Sequence, residues 1–137
     1  MQTAARWFTI GGERLQGVGR MAYALMIVES AGQRQRLTEA EGREQYDRML
    51  RFGEDLKSRG LLTMTQSLKS DTQGARVRVH GGQSTIVDGP FAEAKEMIGG
   101  FFLLTCESRA AAIAIAQECP AAQWATVEVR ELGPCFT

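Results

Sequence analysis

The stretch Gly99–Cys106, which reads GGFFLLTC, carries apolar side chains on both of its alternating faces. In an extended chain Phe101 and Leu103 point to one side, while Phe102 and Leu104 point to the other. A strand with one wet face alternates between apolar and polar residues, whereas a strand covered on both sides is apolar throughout. The stretch therefore predicts an interior strand with material packed on both of its sides.

A second run, near the start of the chain, has the same character. Ala22–Glu29, which reads AYALMIVE, places Tyr23 and Leu25 on one face and Ala24 and Met26 on the other. A sheet that contains these two strands needs a cover on each of its faces.

Two helices are predicted from their end signals and their periodicity. Thr38 and Glu41 have the spacing of a capping box, in which each side chain accepts a hydrogen bond from the other residue's backbone amide. The helix runs over residues 38–59, and Gly60 supplies a left-handed residue after its end. Its apolar stripe consists of Tyr46, Met49, Leu50, Gly53 and Leu56. A second helix, rich in Ala and Ile, is predicted over residues 108–119.

Four further strands complete the predicted order of elements. They are Leu61–Leu68, Ala75–His80, Ser84–Val87 and Ala125–Leu132, of which the middle two form a hairpin around a Gly-Gly-Gln turn. The order is β-α-β, a hairpin, then β-α-β. This predicts an α+β fold of the ferredoxin-like βαββαβ type, an antiparallel sheet with both helices on one face and an inserted hairpin.

The second face of this sheet then needs a cover that one chain of this length does not supply. Residues 1–20, MQTAARWFTIGGERLQGVGR, lack strict periodicity, and we interpret them as a mobile N-terminal extension before a single domain at residues 21–137. A second subunit, packed sheet on sheet, is the simplest cover, so we predict a homodimer. The alternative is that the extension or the hairpin folds over the open face.

The composition excludes several classes of function. The chain has 137 residues, with 16 Lys and Arg balanced by 16 Asp and Glu, so it lacks the net positive charge typical of a protein that binds nucleic acid directly. The single histidine, His80, excludes sites built from two or more histidines. No apolar run is long enough to span a membrane. We predict no metal, no cofactor, no membrane and no direct nucleic-acid partner.

The cysteines indicate a reducing compartment. Cys106, Cys119 and Cys135 are odd in number and form no CxxC pair, whereas small secreted domains usually carry an even disulfide framework. The sequence therefore predicts free thiols and a cytoplasmic location.

A longer motif follows the hairpin and carries a resemblance to a known family. Residues 87–96 read VDGPFAEAKE, residues 98–102 read IGGFF, and residues 127–130 read VEVR. Together with the Ala-rich helix, these features resemble the DGPF branch of the YCII-related superfamily over residues 21–132. The resemblance implies ferredoxin-like chains that pair as dimeric α+β barrels. It also implies an accessory role with bacterial extracytoplasmic-function sigma factors, the setting in which DGPF proteins are often described.

One departure from that superfamily limits what the resemblance implies. Better-known YCII relatives carry a His and an Asp as a proposed catalytic pair, with the His early in the first helix. Here residues 38–59 contain no histidine, and the second helix ends with Cys119-Pro120-Ala121 in place of an Asp-Pro. The proposed pair therefore has no counterpart in this chain.

Two groups of polar residues are the candidate site. The first follows the hairpin, where Phe91 is predicted to anchor the turn in the core and the charged residues to lie at the mouth of a cleft. These charged residues are Asp88, Glu93, Lys95 and Glu96. The second group lies on strand faces and is suited to an anionic or polar ligand. It consists of Arg76, Arg78, His80, Glu128 and Arg130.

Three functions remain open on the sequence alone. The first is a small-molecule-binding or accessory module linked to sigma-factor-dependent transcription. The second is an enzyme acting on a small polar substrate in the dimer cleft, with Asp88 and Glu96 as acid–base groups and Lys95 or Arg130 holding an anionic group. The third is a structural interaction protein whose cleft is filled by its own side chains.

Overall fold

Six strands and two α-helices make up residues 20–136, which are the residues that the computed structural model describes. The strands are β1 (Met21–Ser30), β2 (Leu62–Ser67), β3 (Ala75–His80), β4 (Gln83–Asp88), β5 (Glu96–Cys106) and β6 (Thr126–Glu131). The helices are α1 (Glu39–Ser58) and α2 (Arg109–Glu118). Short 3₁₀ turns occupy Arg34–Arg36, Asp71–Gln73 and Pro120–Gln123. The extension predicted at residues 1–20 lies, apart from Arg20, outside the described residues.

The main sheet confirms the predicted ferredoxin-like fold. Its strand order is β2-β5-β1-β6, and all three pairings are antiparallel. The β3–β4 hairpin forms a separate two-stranded sheet, inserted in the chain between β2 and β5. β2 and β6 are therefore the edge strands of the main sheet.

The hydrophobic core lies between the sheet and the two helices. Alternate residues of the central strands, such as Leu25 and Leu104, are fully buried against Leu56 of α1 and Ile115 of α2. The ring of Phe52 meets that of Phe102 edge to face, with centroids 5.2 Å apart. The apolar stripe predicted on the first helix thus has Leu56 in the core.

The opposite face of the sheet is apolar and only half-buried. Met26 of β1 and Phe101 and Leu103 of β5 lie on this face, where Ile98 and Met64 are more exposed still. This agrees with strands that are apolar on both sides. We call this surface the open face, and its pairing with a second subunit stays a prediction.

The helix start forms as the sequence predicts. The Thr38 hydroxyl accepts from the Glu41 amide at 3.1 Å, and the Glu41 carboxylate accepts from the Thr38 amide at 2.8 Å. At the other end Gly60 takes a φ of +71°, the left-handed conformation that glycine adopts without strain.

Two local features differ from the sequence interpretation. β5 begins at Glu96, three residues earlier than predicted, because Glu96 and Met97 still pair with Ser30 and Glu29 of β1. Phe91 does not enter the core: its ring lies under the Arg76 guanidinium, with the Arg76 Cζ atom 3.9 Å from the ring centroid. Gly89, two residues before Phe91, packs closely against the Asp71–Gln73 turn, and this contact keeps Phe91 at the root of the hairpin.

Candidate functional site

An open groove of about 960 Å³ lies between α1, the edge strand β2 and the first half of β5. On the helix side, Tyr46 and Leu50 project into it, and each is 51% exposed. On the strand side, Thr65 and Ser67 lie on the helix-facing side of β2, as Phe102 does on β5, and contribute polar groups beside its ring. The groove therefore has an apolar body with a polar edge.

Two glycines on α1 keep the groove open. Gly42 and Gly53 lie on the groove side of the helix, eleven positions apart and close to three helical turns. A Cβ atom on Gly42 would meet no atom within 4 Å, whereas one on Gly53 would lie 3.6 Å from the Phe102 ring. The helical stripe read as a core face is therefore divided, with Leu56 in the core and Tyr46 and Leu50 in the groove.

An ion pair between buried Glu29 and half-buried Arg34 closes one end of the groove. Glu29, which is only 8% exposed, accepts from Arg34 Nε at 2.9 Å and from Arg34 Nη2 at 2.8 Å. The same guanidinium donates to the carbonyl oxygens of Leu68, at 2.8 Å, and Gly99, at 3.1 Å. Arg34 thus ties the ends of β1, β2 and β5 together through charge-assisted hydrogen bonds.

The Gly-Gly pair of β5 is required by close approaches on both of its sides. A Cβ atom on Gly99 would overlap the Glu29 carboxylate and would lie 2.7 Å from Arg34 Nη2. A Cβ atom on Gly100 would lie 2.8 Å from the Gln66 carbonyl oxygen of β2. Sequence reasoning missed Glu29 and Arg34; a glycine inside a strand, which often marks a close approach, was the signal that pointed to such a contact.

Three of the four hairpin residues proposed from sequence share one face, as the alternation predicts, and Asp88 lies on the other face with Val77 and Ile86. Arg76, Arg78 and His80 alternate along β3 and are all exposed. Asp88 ends β4 opposite Ala75 and is exposed as well. These four residues lie outside the groove.

The remaining proposed residues are also outside the groove. Glu93, Lys95 and Glu96 are exposed, and within residues 20–136 their side chains make no hydrogen bond or ion pair. Glu128 and Arg130 lie on the open face of β6 and form an ion pair at 2.7 Å. The structure brings this last pair together but not the two predicted groups as one cluster.

The thiols of two cysteines lie in the core. Burial raises the pKa of the Cys106 and Cys119 thiols above the ordinary value of 9.0. The Cys106 thiol donates to the Ser108 carbonyl at 3.5 Å, and Cys135 is exposed. Cys106 is therefore a small buried side chain of the core.

A thiol count tests this arrangement. In the native protein at neutral pH, we expect an alkylating reagent to modify Cys135 quickly and the other two thiols only after unfolding, because they are buried and protonated. Mass spectrometry should show one rapid addition in native buffer and three in denaturant. Rapid loss of all three thiols in native buffer would contradict the burial of Cys106 and Cys119.

The described part of the chain has neither a cluster of metal-ligating side chains nor a membrane-spanning helix. Within residues 20–136 no three His, Cys, Asp or Glu side chains gather as a metal site. No helix in the same range is long and apolar enough to cross a membrane.

Two comparisons with known proteins cover most of the chain. The model of the YCII-related domain matches residues 21–135. A protein of Rhizobium meliloti (strain 1021), described as uncharacterised, is 30% identical in an alignment that covers 82% of this chain and 93% of that protein. The match to the YCII-related domain spans every strand and both helices, and it includes the groove and the hairpin. The chain belongs to the YCII-related family.

Proposed function

We propose that the protein binds a small molecule in the groove between α1 and β2. The observation that carries the proposal is the groove itself, because about 960 Å³ lies within the range of ligand sites. Such sites are mostly apolar and aromatic, with a few polar groups that orient the ligand. Tyr46, Leu50 and Phe102 supply the apolar and aromatic surface, and Thr65 and Ser67 supply the polar groups.

The lining favours an amphipathic ligand. The apolar part packs between Tyr46 and Leu50, which bury exposed area when it binds. The polar part lies along β2, where the Ser67 hydroxyl accepts or donates hydrogen bonds and the Thr65 hydroxyl, which donates to the Phe101 carbonyl at 2.8 Å, accepts them. Lys57 and Glu54 at the rim carry opposite charges, so the rim does not select strongly for one sign.

The wider role proposed for the protein rests on the sequence motif. The VDGPFAEAKE motif at residues 87–96 supports a place in the DGPF branch of the family. That branch suggests a bacterial, cytoplasmic accessory protein acting with an extracytoplasmic-function sigma factor. Co-purification of the tagged protein with such a sigma factor under native expression tests this role, and its absence there counts against it.

The homodimer is proposed from the open face. Met26, Phe101 and Leu103 give this face an apolar centre, and burying it against the same face of a second copy removes it from water. Light scattering tests the pairing, since a mass of 15.0 kDa at micromolar concentration would contradict it.

The enzymatic alternative receives no support from the groove. Asp88 and Glu96, its acid–base candidates, lie outside the groove and are exposed. The purely structural alternative needs a groove filled by the chain's own side chains, and open space next to Gly42 argues against that within residues 20–136.

Thermal stabilisation in a metabolite screen tests the binding proposal. A ligand at about 100 times its dissociation constant stabilises the native state by about 2.7 kcal/mol. We expect Gly42→Trp to abolish that stabilisation, because the indole ring enters open space in the groove. Its own melting temperature should not fall, since tryptophan has the better helix propensity.

The matched control places the same side chain on the same helix turn but outside the groove. Ala40 is exposed and does not line the groove, so Ala40→Trp should keep the full ligand response. A ligand that stabilises the Gly42→Trp variant as strongly as the natural protein would show that it binds elsewhere.

A further inference from the structure

The β3–β4 hairpin is an exposed arm with an apolar face that has no cover within residues 20–136. Every residue of both strands is exposed. On one face, Val77 lies opposite Ile86, and Val79 follows two residues along β3. Their exposures are 61%, 66% and 69%, which is unusual for three branched aliphatic side chains that share one surface.

A two-stranded hairpin alone is marginally stable in water. Three exposed aliphatic residues on one of its faces therefore indicate that the arm gains stability from a surface packed against them. The other face carries the polar side chains of Arg76, Arg78 and His80, which favour contact with water, together with the single aliphatic residue Val87. The arm thus has one side suited to packing and one side suited to solvent.

The root of the arm is firmly held. The Gly89 amide donates to the Gly74 carbonyl at 2.8 Å, which joins the two ends of the hairpin. A Cβ atom on Gly89 would overlap the Asp71 carbonyl oxygen, so the chain passes against the Asp71–Gln73 turn at close range. The stacking of Arg76 on Phe91 adds a cation–π contact at the same place. These contacts fix the start of the arm against the Asp71–Gln73 turn.

The area of the open face supports a second copy of this chain as the partner. With strands about 4.8 Å apart and a rise of about 3.3 Å per residue, four strands of six residues cover about 400 Å². A standard interface buries about 800 Å² on each partner, so the open face alone is about half of what a stable dimer needs. In a two-fold pair each chain lays its own arm on the partner and is covered by the partner's arm. Each of these two contacts has the size of a two-stranded hairpin, and together they bury about another 400 Å² of each chain.

We infer that the β3–β4 arm clasps a second copy of this chain, laying Val77, Val79 and Ile86 on the partner and completing the contact between the open faces. The inference rests on the homodimer proposed above and is independent of the ligand in the groove. Ile98 is 49% exposed on the open face near the start of β5, the strand that follows the arm in the chain. The apolar surface of the open face therefore continues to that end of β5.

Substitution by threonine tests the clasp while keeping the β-branched shape that suits a strand. The triple variant Val77→Thr, Val79→Thr and Ile86→Thr removes apolar area at six positions of a dimer. We expect its dissociation constant, measured by sedimentation, to rise by at least about 100-fold. The matched control is Val87→Thr on the opposite face of the arm, for which we expect a change of less than about threefold.

Hydrogen exchange gives a second readout that does not depend on the variants. In the natural protein the amides of residues 75–88 should be protected at concentrations where the dimer forms and should exchange quickly on dilution, because the isolated hairpin is marginal. If protection of these amides no longer depends on protein concentration in the triple variant, the result would support the clasp.

The outcomes separate the proposals. A natural protein that is dimeric, with a triple variant that dimerises equally well, would overturn the clasp and leave the dimer standing. A natural protein of 15.0 kDa at all concentrations would overturn both. Ligand stabilisation of the triple variant, measured in the same buffer, tests the groove separately, because the groove contains no arm residue.

Discussion

The substitution Gly99→Ala is expected to lower the free energy of unfolding by about 1–3 kcal/mol, the cost of leaving a buried polar group without its hydrogen-bond partner. The added methyl group would overlap the Glu29 carboxylate and lie 2.6 Å from its Cδ atom. Glu29 and Arg34 must then separate, which leaves a carboxylate that is 8% exposed without its partner. The φ of Gly99 lies outside the left-handed region, so the expected loss is steric and not conformational.

Denaturant unfolding of Gly99→Ala beside Gly42→Ala measures this effect with a matched control. Gly42 is helical and has open space where its Cβ would be, so alanine there should stabilise the protein by about 0.5–1 kcal/mol. If Gly99→Ala were as stable as the natural protein, the ion pair would not be held in the position described.

The second large effect is expected for Leu104→Ala, at about 2–5 kcal/mol. Leu104 is fully buried between the sheet and the helices, so its truncation leaves a cavity inside one chain. The loss should be the same at every protein concentration, because no second subunit takes part in that contact.

The adjacent residue gives the matched comparison. Leu103 points to the open face and is half-buried, so Leu103→Ala should cost less in the isolated chain. If the open faces pair, its cost should rise with protein concentration, which thermal unfolding at several concentrations detects. A concentration-dependent cost for Leu104→Ala, and none for Leu103→Ala, would reverse the assignment of the two faces.

Local patterns were enough to predict most of the fold. The alternation of β1 and β5, the Thr38–Glu41 capping box and the turn at Gly60 each depend on residues close together in the chain, and each is confirmed. Antiparallel order then followed from the sequence of elements. The early start of β5 was missed because it depends on pairing with the last residues of β1, which the residues of β5 alone do not show.

The groove was beyond such reasoning because it is made by tertiary contacts. Arg34 sits in a short 3₁₀ turn with no periodicity, and its partners are spread from Glu29 to Gly99. The exposed positions of Tyr46 and Leu50 depend on how far α1 lies from the edge strand. A helical stripe in sequence does not show which of its residues reach the core and which face an opening.

The polar candidates illustrate a different limit. Alternation correctly put Arg76, Arg78 and His80 on one face, and it paired Glu128 with Arg130 on another. Whether those faces meet a ligand depends on a second chain or a partner, which a single sequence does not specify. Their ligand-binding role stays a prediction.

The central claim is that the groove between α1 and β2 is the ligand site. The most direct measurement is a backbone-amide NMR titration with a compound that stabilises the protein in the metabolite screen. We predict that the shifted amides cluster in residues 42–53 of α1 and in β2, and that Gly42→Trp removes those shifts. Shifts confined to the β3–β4 arm or the open face, with α1 and β2 unchanged, would contradict the account.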